Sequence, residues 1–194
     1  TIDGKRFPLE DCNFPTVDPK NPYELSNEEK FVMDKLVYSF INSEKLQRHA
    51  EFLFSCGSMY RVYNGNLLYH GCVPMEEDGS FKKVRVGEGA YGGKALFDVL
   101  EEWVRKGYYS SDVAERELGQ DIMWFLWANE NSPLYGKERM ATFERYFVKD
   151  EACRNEEKCA YYSLLDNEET IFAIMKEFGL DAANPDAHII NGHM

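Results

Sequence analysis

The chain of 194 residues is the size of one domain, and its 44% hydrophobic and 14% aromatic residues are ample for a packed core, which excludes a disordered polypeptide. Thirty-four acidic against 22 basic residues leave a net charge of −12, so no basic stripe is available to neutralise the phosphates of a nucleic acid. No uninterrupted apolar run is long enough for a membrane-spanning helix.

Residues 1–25 read as an extended, proline-rich segment, because Pro8, Pro15, Pro19 and Pro22 are incompatible with a helix interior. Ser26 and Glu29 then form a capping box, and Val32, Leu36, Phe40 with Met33, Val37 and Ile41 continue it as a helical stripe. Asn42-Ser43 interrupts that helix, which resumes through Leu46, Ala50 and Leu53 and stops at Gly57, giving a helical segment over 26–57. Strands follow over 58–86. Met59–Tyr63 and Asn66–His70 flank Asn64-Gly65, a dipeptide suited to a type I′ hairpin. Glu76–Ser80 reads as a turn, with a short strand from Phe81 to Val86.

The next hundred residues, 87–187, are expected to be mainly helical. Lys94–Lys106 forms one helix and Ser111–Trp127 another, capped by Ser110 or Ser111. Asn129–Lys137 is a loop, Thr142–Val148 a strand, and Asn167 opens a helix that ends at Gly179. Trp124-Phe-Leu-Trp127 is expected in the core. His188–Asn191 is a short apolar strand running into Gly192-His193, so that 188–194 closes the chain as a strand to Gly-His. Irregular alternation of helices and strands predicts a mixed α/β fold over a helical bundle.

Four histidines are present, and His70 and His193 each stand beside a glycine where an apolar strand ends. That setting suits a metal ligand, with glycine allowing close approach, although two imidazoles need carboxylates or further nitrogens to complete a site. The alternative is a pair of unrelated turn histidines. His49 reads as a helix-surface residue and His188 as a strand-edge residue or a hydrogen-bonding partner of a metal ligand. A second cluster lies in Asn131-Ser-Pro-Leu-Tyr-Gly-Lys137, Arg139 and Arg145. There a glycine turn is followed by cations suited to phosphate oxygens, and the alternative is a solvated loop. Cys72 beside His70-Gly71 could be weighed as a nucleophile, but nothing else supports that role, and a buried structural thiol is the favoured reading. The five cysteines are odd in number and contain no Cys-x-x-Cys, which argues against a zinc ribbon or a secreted disulfide framework and for a cytoplasmic location. Cys153 and Cys159 read as an incidental loop pair. The opening lacks a signal-like leader and both ends read as cut, so a piece of a longer protein is expected.

Ser43-Glu-Lys-Leu-Gln-Arg48, Gly57-Ser-Met-Tyr60, Tyr63-Asn-Gly-Asn-Leu-Leu-Tyr-His-Gly-Cys-Val-Pro74, Asn131–Lys137, Thr142-Phe-Glu-Arg-Tyr-Phe147 and His188-Ile-Ile-Asn-Gly-His193 together resemble the class III fructose-1,6-bisphosphatases of bacteria. The opening Ile2-Asp-Gly-Lys and Asn13-Phe-Pro-Thr-Val-Asp-Pro-Lys20 resemble them as well, so the similarity runs through essentially the whole chain. It implies part of a calcineurin-like metallophosphoesterase sandwich with a helical insertion, a Mn²⁺ cofactor, and removal of the 1-phosphate of fructose 1,6-bisphosphate in gluconeogenesis. His70 and His193 would serve one of two metal ions, and Arg139 would grip a phosphate, with Lys137 and Arg145 as weaker candidates. The motifs resembling Asp-x-His, Gly-Asp-x-x-x-Arg and Gly-Asn-His-Asp that hold the rest of the centre in that family lie upstream of the part matched. The catalytic residues are therefore expected outside this chain, which should be inactive by itself. A sugar bisphosphate is the expected small-molecule partner, with homo-oligomers possible, and neither nucleic acid nor membrane is expected. Two alternatives stay open, a phosphoprotein phosphatase of the same superfamily and a non-catalytic structural piece.

Overall fold

Local chemistry fixes the first elements. The computed structural model describes residues 1–2, 4–10 and 12–192. Its first helix, α1 (Asn27–Ile41), begins at Ser26, whose hydroxyl accepts the Glu29 N–H while the Glu29 carboxylate accepts the Ser26 N–H. Helix α2 (Glu44–Cys56) restarts the chain on a Ser43 cap and stops at Gly57. Gly57 has extended backbone, so it is not there for a left-handed turn. A side chain at this position would run into the Leu53 carbonyl.

The chain forms two compact units, Thr1–Gly57 with Ala141–Arg154, and Ser58–Met140 with Asn155–Met194. In the first unit, neither α1 nor α2 contributes a buried residue. The segment expected as a strand over Thr142–Val148 is instead the short helix α5 (Phe143–Phe147). Phe143 and Phe147, four apart, pack in a tilted pair with ring centroids 4.4 Å apart, and the Phe147 ring lies 5.4 Å from that of Phe14. The four-residue aromatic spacing outweighs the strand propensity of the individual residues. Extended pairing survives only at Val148, bridged to Leu9.

In the second unit, Asn64 (φ 50°) and Gly65 (φ 74°) turn the hairpin of β1 (Tyr60–Tyr63) and β2 (Asn66–Tyr69). A final strand, β5 (Ile189–Asn191), pairs parallel to β2, giving a three-stranded sheet in the order β1-β2-β5. The strand expected from Phe81 shortens to β3 (Val84–Val86), which pairs with β4 (Gly89–Tyr91) in a separate ribbon. Helices α3 (Lys94–Tyr109) and α4 (Val113–Ala128) follow. The cap of α4 is Asp112, not the expected serine: Ser110 ends α3, and its hydroxyl donates to Glu115 at 2.8 Å. Gly107 and Gly119 let the two helices cross closely, since a methyl on Gly107 would stand 2.7 Å from the Gly119 carbonyl carbon. Helix α6 (Glu168–Glu177) starts at the Asn167 cap and ends in a left-handed Gly179 (φ 80°).

Leu67 and Tyr69 of β2 pack with Val73, Phe97, Tyr161, Ile174 and Phe178 in one core. Val84, Val86, Leu96, Leu100, Ile122 and Leu126 form a second. Trp124 and Trp127 are not in it. Both are largely exposed, because α4 turns Ile122 and Leu126 inward instead. Among the described residues the arrangement is a mixed α/β fold with six α-helices and two small sheets. No helix among the described residues is long and apolar enough to cross a membrane.

Candidate metal and phosphate site

His70 follows the last residue of β2. Alternation along that strand turns Leu67 and Tyr69 into the core and leaves Leu68 and His70 on the outer side. Because β5 runs parallel to β2 in the register Leu67↔Ile189, Leu68↔Ile190 and Tyr69↔Asn191, both strands deliver their carboxyl ends to one edge. The Gly192 N–H donates to the His70 carbonyl at 2.9 Å, and the Asn191 side-chain amide donates to the Gly71 carbonyl at 2.7 Å. His193 lies outside the described residues. His188 opens β5, with its ring Nδ1 2.9 Å from the Asp186 carbonyl and 3.3 Å from Asn66 Oδ1. Asp186-Ala-His188 does have the Asp-x-His spacing, a motif expected only upstream of this chain. Here it closes a turn, the histidine bonding the aspartate's backbone carbonyl.

The glycine beside His70 has a packing role that its sequence does not announce. A Cβ at Gly71 would stand 2.6 Å from the Pro133 carbonyl oxygen and 3.1 Å from that of Leu134. Gly71 therefore makes room for the 131–137 loop. That loop is built on Ser132, fully buried, whose hydroxyl donates to the Leu126 carbonyl at 2.7 Å and accepts the Leu134 and Tyr135 N–H groups. The Cys72 N–H donates to Pro133 O at 2.9 Å, and the Cys159 N–H to Gly136 O at 2.9 Å. Gly136 itself takes a left-handed φ of 62°.

Of the predicted cations, Lys137 and Arg139 follow this loop. The Lys137 ammonium pairs with Glu156 at 3.0 Å, both side chains largely buried, and Arg139 Nε donates to the Asn155 carbonyl at 3.0 Å. Arg145 belongs to the other compact unit, on α5, where its Nε donates to the Ala141 carbonyl at 2.7 Å. A cavity of about 600 Å³ is lined by Glu76, Glu77, Asp78, Glu130, Glu138 and Glu157 against Lys82 and Lys158. Its charge disfavours a phosphate in the chain as it stands.

One pair of groups was invisible to sequence reasoning. Cys72 and Cys159 bring their sulfurs to 3.6 Å. The contact with Cys72, together with the Tyr161 N–H and the Lys82 charge, holds the Cys159 thiol down at about 7 against the pull of burial. The Cys159 contact and burial push Cys72 upward. No sequence spacing could have linked residues that far apart.

A family model for the Firmicute fructose-1,6-bisphosphatases matches residues 1–194. The chain belongs to that family. Among curated proteins it is similar to "Fructose-1,6-bisphosphatase class 3 1" of Clostridium beijerinckii, with 51% identity over 193 residues. It is also similar to "Fructose-1,6-bisphosphatase class 3" of Alkaliphilus metalliredigens, with 54% identity over 197 residues, and of Clostridium acetobutylicum, with 49% identity over 194. Each match takes in 100% of this chain and 29% of the relative, so the chain spans less than a third of these fructose-1,6-bisphosphatases' length. No solved structure matches it.

A Mn²⁺ centre requires more than the donors at the β2–β5 edge. Among the described residues no group of three or more His, Cys, Asp or Glu side chains is arranged to hold a metal ion. The residues of this member of the fructose-1,6-bisphosphatase family do not by themselves fit a dinuclear centre, which needs both ions a few ångströms apart to generate hydroxide and neutralise phosphate oxygens.

Proposed function

We propose that the chain supplies part of a metal-dependent fructose-1,6-bisphosphatase that removes the 1-phosphate of fructose 1,6-bisphosphate in gluconeogenesis, a cytoplasmic reaction. In that reading His70 and His193 are imidazole ligands of one Mn²⁺ of a dinuclear centre whose other ligands and catalytic residues come from segments found in the longer relatives. The observation that carries it is the parallel β2–β5 pairing, with the Gly192 N–H 2.9 Å from the His70 carbonyl. Two strand ends, each running into a histidine, thereby meet at the edge of a sheet where α/β proteins bind ligands.

A calcineurin-like sandwich is the architecture we propose for the whole. In its support, the outer face of the β1-β2-β5 sheet carries Leu68 at 37% exposure and Ile190 at 52%, as in a sheet that packs against a further layer. Arg139 is our candidate for gripping a phosphate, its guanidinium already anchored through Nε on Asn155 and its fork suited to two phosphate oxygens. Lys137, paired with Glu156, ranks below Arg139 because an ammonium offers a phosphate one point charge where a guanidinium offers a planar fork. Arg145 ranks with it.

In the full-length protein, His70→Ala is expected to reduce Mn²⁺-dependent phosphate release from fructose 1,6-bisphosphate by about 100-fold or more, a first ligand mattering at least as much as the groups that orient one. Near-normal turnover would overturn the ligand assignment. Faster release from a phosphopeptide than from fructose 1,6-bisphosphate would overturn the substrate.

A further inference from the structure

The Cys72–Cys159 pair lies under the 131–137 loop, and the loop is built against it. We propose that Cys159 is a site of oxidation by hydroperoxides and that Cys72 resolves it, closing a reversible disulfide beneath Gly136.

Three observations of geometry support this. The sulfurs are 3.6 Å apart, close to van der Waals contact, so a short approach of the two brings them to the disulfide length of about 2 Å. Their exposures differ in the way the chemistry requires. Cys159 is partly exposed and lines the cavity of about 600 Å³ beside Lys82 and Lys158, whereas Cys72 is fully buried behind it. The backbone holds both in place from one loop, with Cys72 N–H on Pro133 O and Cys159 N–H on Gly136 O. A low thiol pKa at Cys159 adds to its reactivity.

The chemistry balances with a hydroperoxide as the oxidant. The Cys159 sulfur attacks one peroxide oxygen. An S–O bond forms, the O–O bond breaks, and the leaving hydroxide takes up a proton to depart as water. The Cys72 sulfur then attacks the Cys159 sulfenic sulfur, so an S–S bond forms and the S–O bond breaks. The second hydroxide leaves as water with the proton that Cys72 loses. Two thiols and one hydrogen peroxide give one disulfide and two waters.

The loop feels the change directly. A Cβ at Gly136 would stand 2.6 Å from the Cys72 sulfur and 3.4 Å from that of Cys159, so the Gly136 backbone rests on both. Drawing the sulfurs together shifts the support of the backbone that leads to Lys137 and Arg139. The other cysteines supply an internal control: Cys12 and Cys56 are exposed, and Cys153 is buried with its sulfur 2.9 Å from the Asp150 carbonyl.

The test needs no enzymatic activity. The reduced chain is treated with one equivalent of hydrogen peroxide, unfolded, labelled with N-ethylmaleimide and mapped by peptide mass spectrometry. Labelling at Cys72 and Cys159 is expected to be lost together, with a peptide joining them, and to return with dithiothreitol. In Cys72→Ser, dimedone should trap a sulfenic acid at Cys159. Retained labelling at both positions overturns the proposal. So does over-oxidation of Cys159 with Cys72 still free, or a cross-link pattern no different from that of the urea-unfolded chain. If Cys72→Ser does not fold, mapping of the wild-type chain decides alone.

Discussion

A side chain at position 71 meets two carbonyl oxygens, those of Pro133 and Leu134, and neither belongs to a flexible group that can swing aside. Gly71→Ala is therefore expected to cost about 1–3 kcal/mol, the usual range for forcing volume into a packed site. Urea unfolding should show it as a lower midpoint at unchanged slope, and an unchanged midpoint would mean that the loop yields without cost. The place of His70 at a strand end was legible in the sequence because an apolar strand ending at His-Gly is a local pattern, carried by Leu67 to Gly71. The partner of Gly71 was not legible, since Pro133 reaches it only through the fold. The Cys72–Cys159 contact is hidden for the same reason. The partners of the cations were hidden in the same way. Lys137 and Arg139 looked available in a glycine turn, but Glu156 and the Asn155 carbonyl are drawn to them by the bridge of Lys137 with Lys158.

Elements with their own chemical signature were read correctly. The Ser26–Glu29 box, the Asn64-Gly65 turn and the Asn167 cap all depend on bonds within a few residues. Helix α5 was misread as a strand because its bulky residues also suit β structure, and only the packing of Phe143 and Phe147 with Phe14 decides. Between elements, Glu101 of α3 ties down the start of β1. Its carboxylate accepts the Met59 N–H at 2.8 Å and the Ser58 hydroxyl at 3.0 Å, and it pairs with Arg105 at 2.8 Å. Burial pushes its pKa up, yet the Met59, Arg105 and Ser58 bonds outweigh that and hold it below the ordinary carboxylate value. A carboxylate whose pKa is lowered on folding contributes stability that is full above the unfolded value, about 4.3, and is lost as pH falls through the folded one. Glu101→Gln should accordingly lower the urea midpoint at neutral pH and converge with the wild type in acid. A difference that stays constant from neutral pH into acid would show that Glu101 acts through packing alone.

At the scale of the whole molecule, the apolar residues of α1 set the terms. Phe31, Phe40 and Ile41 are 68%, 65% and 63% exposed, and the helix buries nothing, although the apolar stripe of a helix is ordinarily covered. The chain spans 29% of the length of the relatives it matches, and those relatives contain chain that could cover such a face. Studied alone, the 194-residue chain is expected to associate at micromolar concentration. Sedimentation velocity should show species above the monomer, reduced by Phe31→Lys with Phe40→Lys, and a clean wild-type monomer would sink the prediction. The same incompleteness governs chemistry. Two-metal hydrolysis needs carboxylates that bridge and position the ions, and none is grouped for that among the described residues. Two imidazoles alone pay chain entropy to close on an ion with little else to hold it. The chain alone is thus expected to bind Mn²⁺ weakly and to release no phosphate from fructose 1,6-bisphosphate above the level of its own His70→Ala variant. Titration of Mn²⁺ by electron paramagnetic resonance and a phosphate-release assay check the two parts separately. A tightly bound pair of ions, or turnover that the His70→Ala variant loses, would mean that this chain holds a complete centre after all.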